Sequence, residues 1–127
     1  MVKDLNRVSG DVVDSSMEVH STLGPGLLES AYEACLTYEL RSRGYTVVTQ
    51  QPLPLIYKGI HLDLGYRMDL LVDNSVVVEV KAVDKLIPLY DAQLLSYLKL
   101  SGKKLGLLIN FHVPRLKDGI RRMVNEL

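Results

Sequence analysis

Residues 68–81 read MDLLVDNSVVVEVK, two apolar runs around the polar triplet Asp73-Asn74-Ser75. Residues two apart in a strand share a face, so this stretch predicts a β-hairpin with alternating sides. If the triplet forms a three-residue loop, Asp69 lies directly opposite Glu79. A loop that is one residue shorter or longer would put the two carboxylates on opposite faces.

With the three-residue loop, one face of the hairpin is apolar and the other has a charged end. The apolar face consists of the even positions Met68, Leu70, Val72, Val76, Val78 and Val80. The other face carries Asp69, Glu79 and Lys81 at one end. Facing like charges destabilise a strand pair, so a cation is expected between the carboxylates, either Lys81 or a metal ion. A plain salt bridge between Glu79 and Lys81 is the structural alternative.

Length and composition predict one folded domain over residues 1–127. The chain is 47% hydrophobic and 24% charged, as in globular proteins and unlike disordered ones. Its apolar runs are too short for a bilayer and its N-terminus lacks the apolar core of a signal peptide, so we expect no membrane partner. Cys35 is the single cysteine, which fits a reducing compartment, and the expected location is the cytoplasm.

The distribution of charge is more informative than its sum. The formal net charge is zero, which is not the global signature of a nucleic-acid-binding protein. From Lys99 onward, however, the chain contains seven cationic residues and only two acidic ones, Asp118 and Glu126. The cations are Lys99, Lys103, Lys104, Arg115, Lys117, Arg121 and Arg122. They form either a solvated basic surface or a phosphate-binding flank.

Apolar periodicity predicts an α+β protein with a mixed sheet and packed helices. Helices are predicted at residues 6–22, after Gly24-Pro25-Gly26 and ending near Gly44, and at residues 89–101 with Pro88 in the first turn. Outside the hairpin, strands are predicted at residues 46–51, 53–57, 60–66 and 104–110. Residues 120–124 are either a short strand or a helical turn.

Asp69 and Glu79 match the ligand preference of Mg²⁺, which takes one or two carboxylates together with water and substrate phosphate. Lys81 shares their face and is placed to orient an attacking water or to stabilise negative charge. Glu29 is predicted to project from the second helix and to add a carboxylate. Taken alone, a glutamate at this position is more often a favourable first-turn acid near a helix N-terminus.

Gln93 and Tyr97 are four residues apart on the third predicted helix, so they share a side. They are candidates to border the site or to contact phosphate. The simpler explanation is that Gln93 lies at a helix boundary and that Tyr97, like Tyr32, is a core aromatic residue. His20, His61 and His112 are scattered without metal-ligand spacing, so structural or surface roles are favoured for all three.

Several segments resemble one family of proteins. They are GLLESAY at 26–32, YRMD at 66–69, VEVKA at 78–82, QLLSYL at 93–98 and LLINF at 107–111. Together they are similar to the GxxExxY proteins, a small bacterial and archaeal group within the PD-(D/E)XK nuclease superfamily. The resemblance covers nearly the whole chain.

The resemblance implies a restriction-endonuclease-like central mixed sheet flanked by helices. It implies that Asp69, Glu79 and the main-chain carbonyl of Val80 hold Mg²⁺, with Mn²⁺ as a substitute, and that Lys81 is the catalytic lysine. Glu29 would be the helix-borne acid of the catalytic and metal-binding set. Gln93, Tyr97 and Tyr32 would border the site or bind substrate phosphate.

The sequence therefore predicts a metal-dependent nuclease that hydrolyses phosphodiester bonds in nucleic acid, with DNA the favoured substrate. The alternative is a non-catalytic nucleic-acid or protein binding module that retains the nuclease fold. A homodimer is a hypothesis that rests on the short chain and on the likeness to resolvase-like members.

Overall fold

Five strands form one mixed sheet, and three helices pack against its two faces. The computed structural model describes residues 4–125. The helices are α1 (Leu5–Leu23), α2 (Glu29–Ser42) and α3 (Pro88–Ser101). The strands are β1 (Val47–Pro52), β2 (Leu55–Tyr57), β3 (Ile60–Leu62), β4 (Arg67–Val72), β5 (Val76–Lys81), β6 (Leu105–Asn110) and β7 (Ile120–Val124). A short 3-10 turn, Leu116–Gly119, precedes β7.

The order across the sheet is β1-β4-β5-β6-β7. β5 and β6 are parallel and are connected through α3, whereas the other neighbouring strands are antiparallel. The predicted α+β architecture, a central mixed sheet flanked by helices, is therefore confirmed. Residues 120–124 form an edge strand, which decides between the two conformations predicted for them. β1 is the other edge strand, as Pro52 at its end favours.

The β4–β5 hairpin has the register that the sequence predicts. Val72 pairs with Val76, so residues 73–75 form a three-residue loop. Asp73 and Asn74 adopt φ values of 49° and 52° in this turn. Asp and Asn tolerate this left-handed conformation better than other non-glycine residues, because their short side chains hydrogen-bond locally.

Separate apolar cores cover the two faces of the sheet. On one face, the even-numbered strand residues of the hairpin are buried with Val8 and Val12 of α1 and Leu36 of α2. These strand residues are Leu70, Val72, Val76, Val78 and Val80. On the other face, α3 buries Leu94 and Leu98 in the core that contains Leu71 and Val77. Since both faces are covered, the central strands are buried along most of their length. Within residues 4–125, none of the helices combines the length and the apolar character needed to cross a membrane.

Met68 departs from the predicted apolar face. It is buried in the core on the α3 side with Leu53, whereas the even-numbered residues that follow it face α1 and α2. The change of side coincides with an interruption in the β1–β4 ladder, where Thr49 and Gln51 are paired but Gln50 is not. Gln50 has a left-handed φ of 51°, so the regular alternation of the strands does not continue through this point.

The strands predicted at residues 53–57 and 60–66 are shorter than expected. The structure forms β2 and β3, which pair only with each other around a Lys58-Gly59 turn, outside the main sheet. Ile56, Tyr57 and Ile60 of this small hairpin are exposed. It is therefore a projection that leads the chain from β1 into β4.

A substitution at Gly106 of β6 would test how closely α3 packs on the sheet. A Cβ atom at this position would lie 2.9 Å from Leu94 Cδ1, and Leu94 is fully buried in the core beneath α3. We expect Gly106→Ala to lower the free energy of unfolding by about 1–3 kcal/mol through overpacking, as measured by urea denaturation.

Gly10→Ala is the matched control, because nothing lies within 4 Å of a Cβ built at this helical position. It should raise the free energy of unfolding by about 0.5–1 kcal/mol, since alanine favours a helix interior. Equal stability of the two variants would contradict the close approach of Leu94 to β6.

Candidate active site

The ladder between β4 and β5 ends at Leu70, before it reaches the two facing carboxylates. Their side chains instead bond across the gap between the strands. Glu79 Oε2 accepts a hydrogen bond from the main-chain N–H of Asp69 at 2.8 Å. Asp69 Oδ2 accepts one from the main-chain N–H of Val80, also at 2.8 Å. Each carboxylate thereby satisfies a donor on the opposite strand, and both are held at the same end of the hairpin.

Burial makes this pair electrostatically costly. Glu79 is only 5% exposed. Its burial, together with the nearby charge of Asp69, raises its pKa from the ordinary 4.5 to about 8. Burial also raises the pKa of Asp69, against the lowering effects of the Val80 N–H and the Gln50 amide. Two carboxylates in this state favour either a proton or a cation.

Lys81 does not neutralise the pair by direct contact. Among residues 4–125, no ion pair within 4.0 Å joins its ammonium to Asp69 or Glu79. Lys81 Nζ instead lies 4.7 Å from the centroid of the Tyr90 ring. Its charge still lowers the pKa of both carboxylates. The simple Glu79–Lys81 salt bridge is therefore not the arrangement that this hairpin adopts.

Helix α2 delivers Glu29 to the same end of the hairpin. Glu29 is the first residue of the helix, and its Oε2 accepts a hydrogen bond of 3.2 Å from the N–H of Ala82, the residue after β5. A cavity of about 250 Å³ opens here, which we call the acidic cleft. It is lined by Glu29, Ser30, Glu33, Gln50, Asp69 and Val80. Of the predicted site residues, the structure thus brings Glu29, Asp69 and Val80 together.

Glu33 and Gln50 are cleft residues that the sequence analysis missed. Gln50 Nε2 donates to Glu33 Oε1 at 2.6 Å and to Asp69 Oδ1 at 3.3 Å. Glu33 follows Glu29 by four residues, so helical spacing was a signal that could have found it. Gln50 has no such signal, because its position depends on the pairing of β1 with β4 and on its own left-handed φ.

Gln93 and Tyr97 lie on a different cavity. Gln93 Nε2 donates to the Tyr97 hydroxyl oxygen at 3.1 Å, so the two share a side of α3 as predicted. They line a cavity of about 520 Å³ with Lys81, Tyr66, Tyr90 and Leu89, which we call the tyrosine pocket. Because α2 and α3 cover opposite faces of the sheet, Glu29 and Gln93 do not converge in one cleft, contrary to our expectation. They approach the end of β5 from its two sides.

Tyr32 lies beneath the loop that precedes α2 and does not border either cavity. Its ring is fully buried and stacks on Phe111 with the ring centroids 4.6 Å apart. Its hydroxyl donates to the Gly24 carbonyl at 2.6 Å and accepts the Leu27 N–H at 3.1 Å. The structure therefore does not place Tyr32 where it would border the site or bind phosphate, because its buried hydroxyl is already bonded to the loop.

The chemistry of the donors fits a divalent metal ion. Asp69, Glu79 and the Val80 carbonyl offer only oxygen atoms, which Mg²⁺ prefers over nitrogen or sulfur. Within residues 4–125, no three His, Cys, Asp or Glu side chains are grouped so that they could hold a metal by themselves. The arrangement therefore suits a two-carboxylate site completed by water and phosphate rather than a closed structural site.

The raised pKa of Glu79 predicts how the stability of the metal-free protein depends on pH. The folded protein holds the proton of Glu79 more tightly than the unfolded chain does, so stability falls as pH rises from about 4.5 to about 8. Glu79→Gln removes this titration and keeps an oxygen for the Asp69 N–H. The free energy of unfolding of the variant should therefore rise relative to that of wild type, by on the order of a few kcal/mol between about pH 5 and about pH 9.

Urea denaturation in the presence of a chelator measures this difference at both pH values. Asp63→Asn is the matched control, since Asp63 is exposed and lies outside the acidic cleft. If the free energies of unfolding of wild type and Glu79→Gln changed by the same amount over this pH range, the pKa of Glu79 would not be raised in the folded protein.

Comparison with known proteins supports the nuclease-like architecture. A family model described as the PD-(D/E)XK nuclease superfamily matches residues 6–123. A search of curated protein sequences and a search of solved structures gave no match. The match spans the helices, the central hairpin and β6, and it includes the Asp69 and Glu79-Val80-Lys81 positions. The chain belongs to the PD-(D/E)XK nuclease superfamily.

Proposed function

We propose that the protein is a metal-dependent nuclease that hydrolyses phosphodiester bonds in nucleic acid, with DNA as the favoured substrate. One observation carries this proposal. The half-buried carboxylate of Asp69 and the buried carboxylate of Glu79 meet at the open end of a hairpin, and no side-chain cation among residues 4–125 forms an ion pair with either of them. Membership of a nuclease superfamily gives this arrangement its chemical context.

Asp69, Glu79 and the main-chain carbonyl of Val80 would hold Mg²⁺ or Mn²⁺. When bound, such an ion supplies Lewis-acid activation of the phosphate and of the attacking water. The protein's own contribution is to present the carboxylates already aligned, because each is fixed by a main-chain hydrogen bond. Glu29 lies at the rim of the same cleft and would act through an intervening water.

Lys81 would assist the attacking water and stabilise negative charge on the phosphate. It is the last residue of β5, half-buried, and lies on the wall of the tyrosine pocket. Water attacks the phosphorus, one bridging P–O bond breaks, and the products are a phosphomonoester and a hydroxyl end. A fixed ammonium beside this phosphate stabilises the charge that develops on the oxygens during the attack.

We also propose that the chain is a member of the narrower GxxExxY group. Each signature residue has a local role that depends on its chemical type. Gly26 adopts a φ of 103°, which favours glycine, and Glu29 reaches the acidic cleft. Tyr32 fixes the Gly24–Leu27 loop through its hydroxyl, so the signature positions the start of α2 and its acid.

The proposal predicts metal-dependent cleavage that requires the hairpin residues. The purified protein is incubated with labelled single-stranded, duplex and branched DNA and with Mg²⁺ or Mn²⁺. We expect cleavage by wild type and at least about a hundredfold slower cleavage by Asp69→Ala, Glu79→Gln and Lys81→Ala, because each removes a group aligned on the phosphate or on its activator.

Lys103→Ala is the matched control for Lys81→Ala. Lys103 donates to Asn74 at the loop end of the same hairpin, so this variant removes a similar charge far from the carboxylates. Its cleavage rate should equal that of wild type. Equal cleavage by every variant would identify a contaminating nuclease and contradict the proposal. Tight metal-independent binding without cleavage would favour the alternative of a binding module.

Metal binding should stabilise the fold, and more so at alkaline pH. A proton on Glu79 competes with the metal, so affinity rises with pH until it passes the Glu79 pKa of about 8. We expect Mn²⁺ to raise the thermal unfolding midpoint of wild type, with a larger increase at about pH 8.5 than at about pH 6.5. An Asp69→Asn/Glu79→Gln double variant should show no increase, and an increase equal to that of wild type would locate the metal elsewhere.

A further inference from the structure

The tyrosine pocket is chemically unlike the acidic cleft. None of the described residues that line it carries a carboxylate, and its walls include three aromatic rings, those of Tyr66, Tyr90 and Tyr97. The Tyr66 and Tyr97 centroids are 6.2 Å apart with the ring planes inclined at 58°. Tyr66 is 42% exposed, so part of its ring remains available to a ligand. The volume of about 520 Å³ is within the usual range of small-molecule sites.

We propose that the tyrosine pocket binds an unpaired nucleobase of the strand that is cleaved, so that the substrate is single-stranded, frayed or branched nucleic acid. This inference rests on the proposed nuclease function and specifies its substrate. In this arrangement the base stacks on the rings of the tyrosine pocket, while the neighbouring acidic cleft receives the phosphate and its metal.

Lys81 provides the physical link between the two sites. Its ammonium lies over the Tyr90 ring and within the pocket. Lys81 also follows Glu79 by two residues on β5, at the strand end where the carboxylates of Glu79 and Asp69 are held. A phosphate held between Lys81 and these carboxylates therefore lies beside the aromatic rings. The base of the same nucleotide, only one sugar away, would be presented to the pocket.

The aromatic walls favour an unpaired base over a base pair. In a duplex the flat faces of the bases are covered by their stacked neighbours, and only base edges are accessible in the grooves. Unpaired bases expose these faces and stack on tyrosine rings with little sequence preference. The side-chain amide of Gln93 lies on the same wall and can form hydrogen bonds with the edge of a base.

The test measures binding separately from cleavage. Asp69→Asn/Glu79→Gln serves as the parent, because it removes the repulsive charges and cannot cleave, and a chelator is present throughout. The probes are a fluorescent thymidine oligonucleotide, its duplex with the complementary strand, and an oligonucleotide of the same length with abasic sugars. Fluorescence anisotropy should show that the single strand binds about tenfold or more tightly than either of the other probes.

Tyrosine variants of the parent then locate the contact. Tyr66→Ala and Tyr90→Ala should each weaken single-strand binding by about tenfold, whereas the corresponding Phe variants keep the ring and should stay within about twofold of the parent. Tyr38→Ala is the matched control, since Tyr38 is 71% exposed on α2 and lies outside this pocket. Its binding should equal that of the parent.

The outcomes separate this inference from the proposed function. Unchanged binding by both Ala variants, or equal binding of abasic and normal strands, would overturn the base pocket even if wild type cleaves DNA. Binding that depends on the tyrosines, combined with no cleavage by wild type in Mg²⁺ or Mn²⁺, would support the pocket and overturn the nuclease proposal.

Discussion

Asp69 and Glu79 exchange hydrogen bonds with each other's strand, and the rest of the site depends on this crossed arrangement. Each carboxylate accepts a main-chain N–H at 2.8 Å, which replaces the ladder where β4 and β5 separate. The exchange fixes the side chains, and no cation within residues 4–125 forms an ion pair with them. It therefore leaves a buried and a half-buried acid that repel each other in their charged forms, and a divalent ion would relieve this repulsion.

The layers around the sheet supply what this arrangement needs. The α1–α2 core and the α3 core bury both faces of β5, and that burial raises the pKa of Glu79. The same layers give the site its two unlike sides, because α2 brings carboxylates and α3 brings aromatic and amide groups. Apolar packing thus stabilises a strand end whose charges oppose folding, as functional sites often require.

The features that depend on neighbouring residues in the chain could be predicted from the sequence. The polar triplet at residues 73–75 fixed the hairpin register, and apolar periodicity located the three helices within one or two residues. The sequence did not predict Gln50, whose role arises from long-range pairing and a left-handed backbone, nor the displacement of Met68 at the same point. Nor did it show that Tyr32 supports a loop, because motif membership alone does not distinguish a contact with substrate from one that positions the chain.

We propose that Asp69 and Glu79 form a metal-binding catalytic centre. Anomalous X-ray scattering from crystals soaked in Mn²⁺ tests it most directly, since the method locates the metal without reference to activity. The arrangement predicts an anomalous peak in contact with both carboxylates, and its disappearance in crystals of Asp69→Asn/Glu79→Gln. Well-diffracting wild-type crystals at alkaline pH that show no peak at these carboxylates would contradict it.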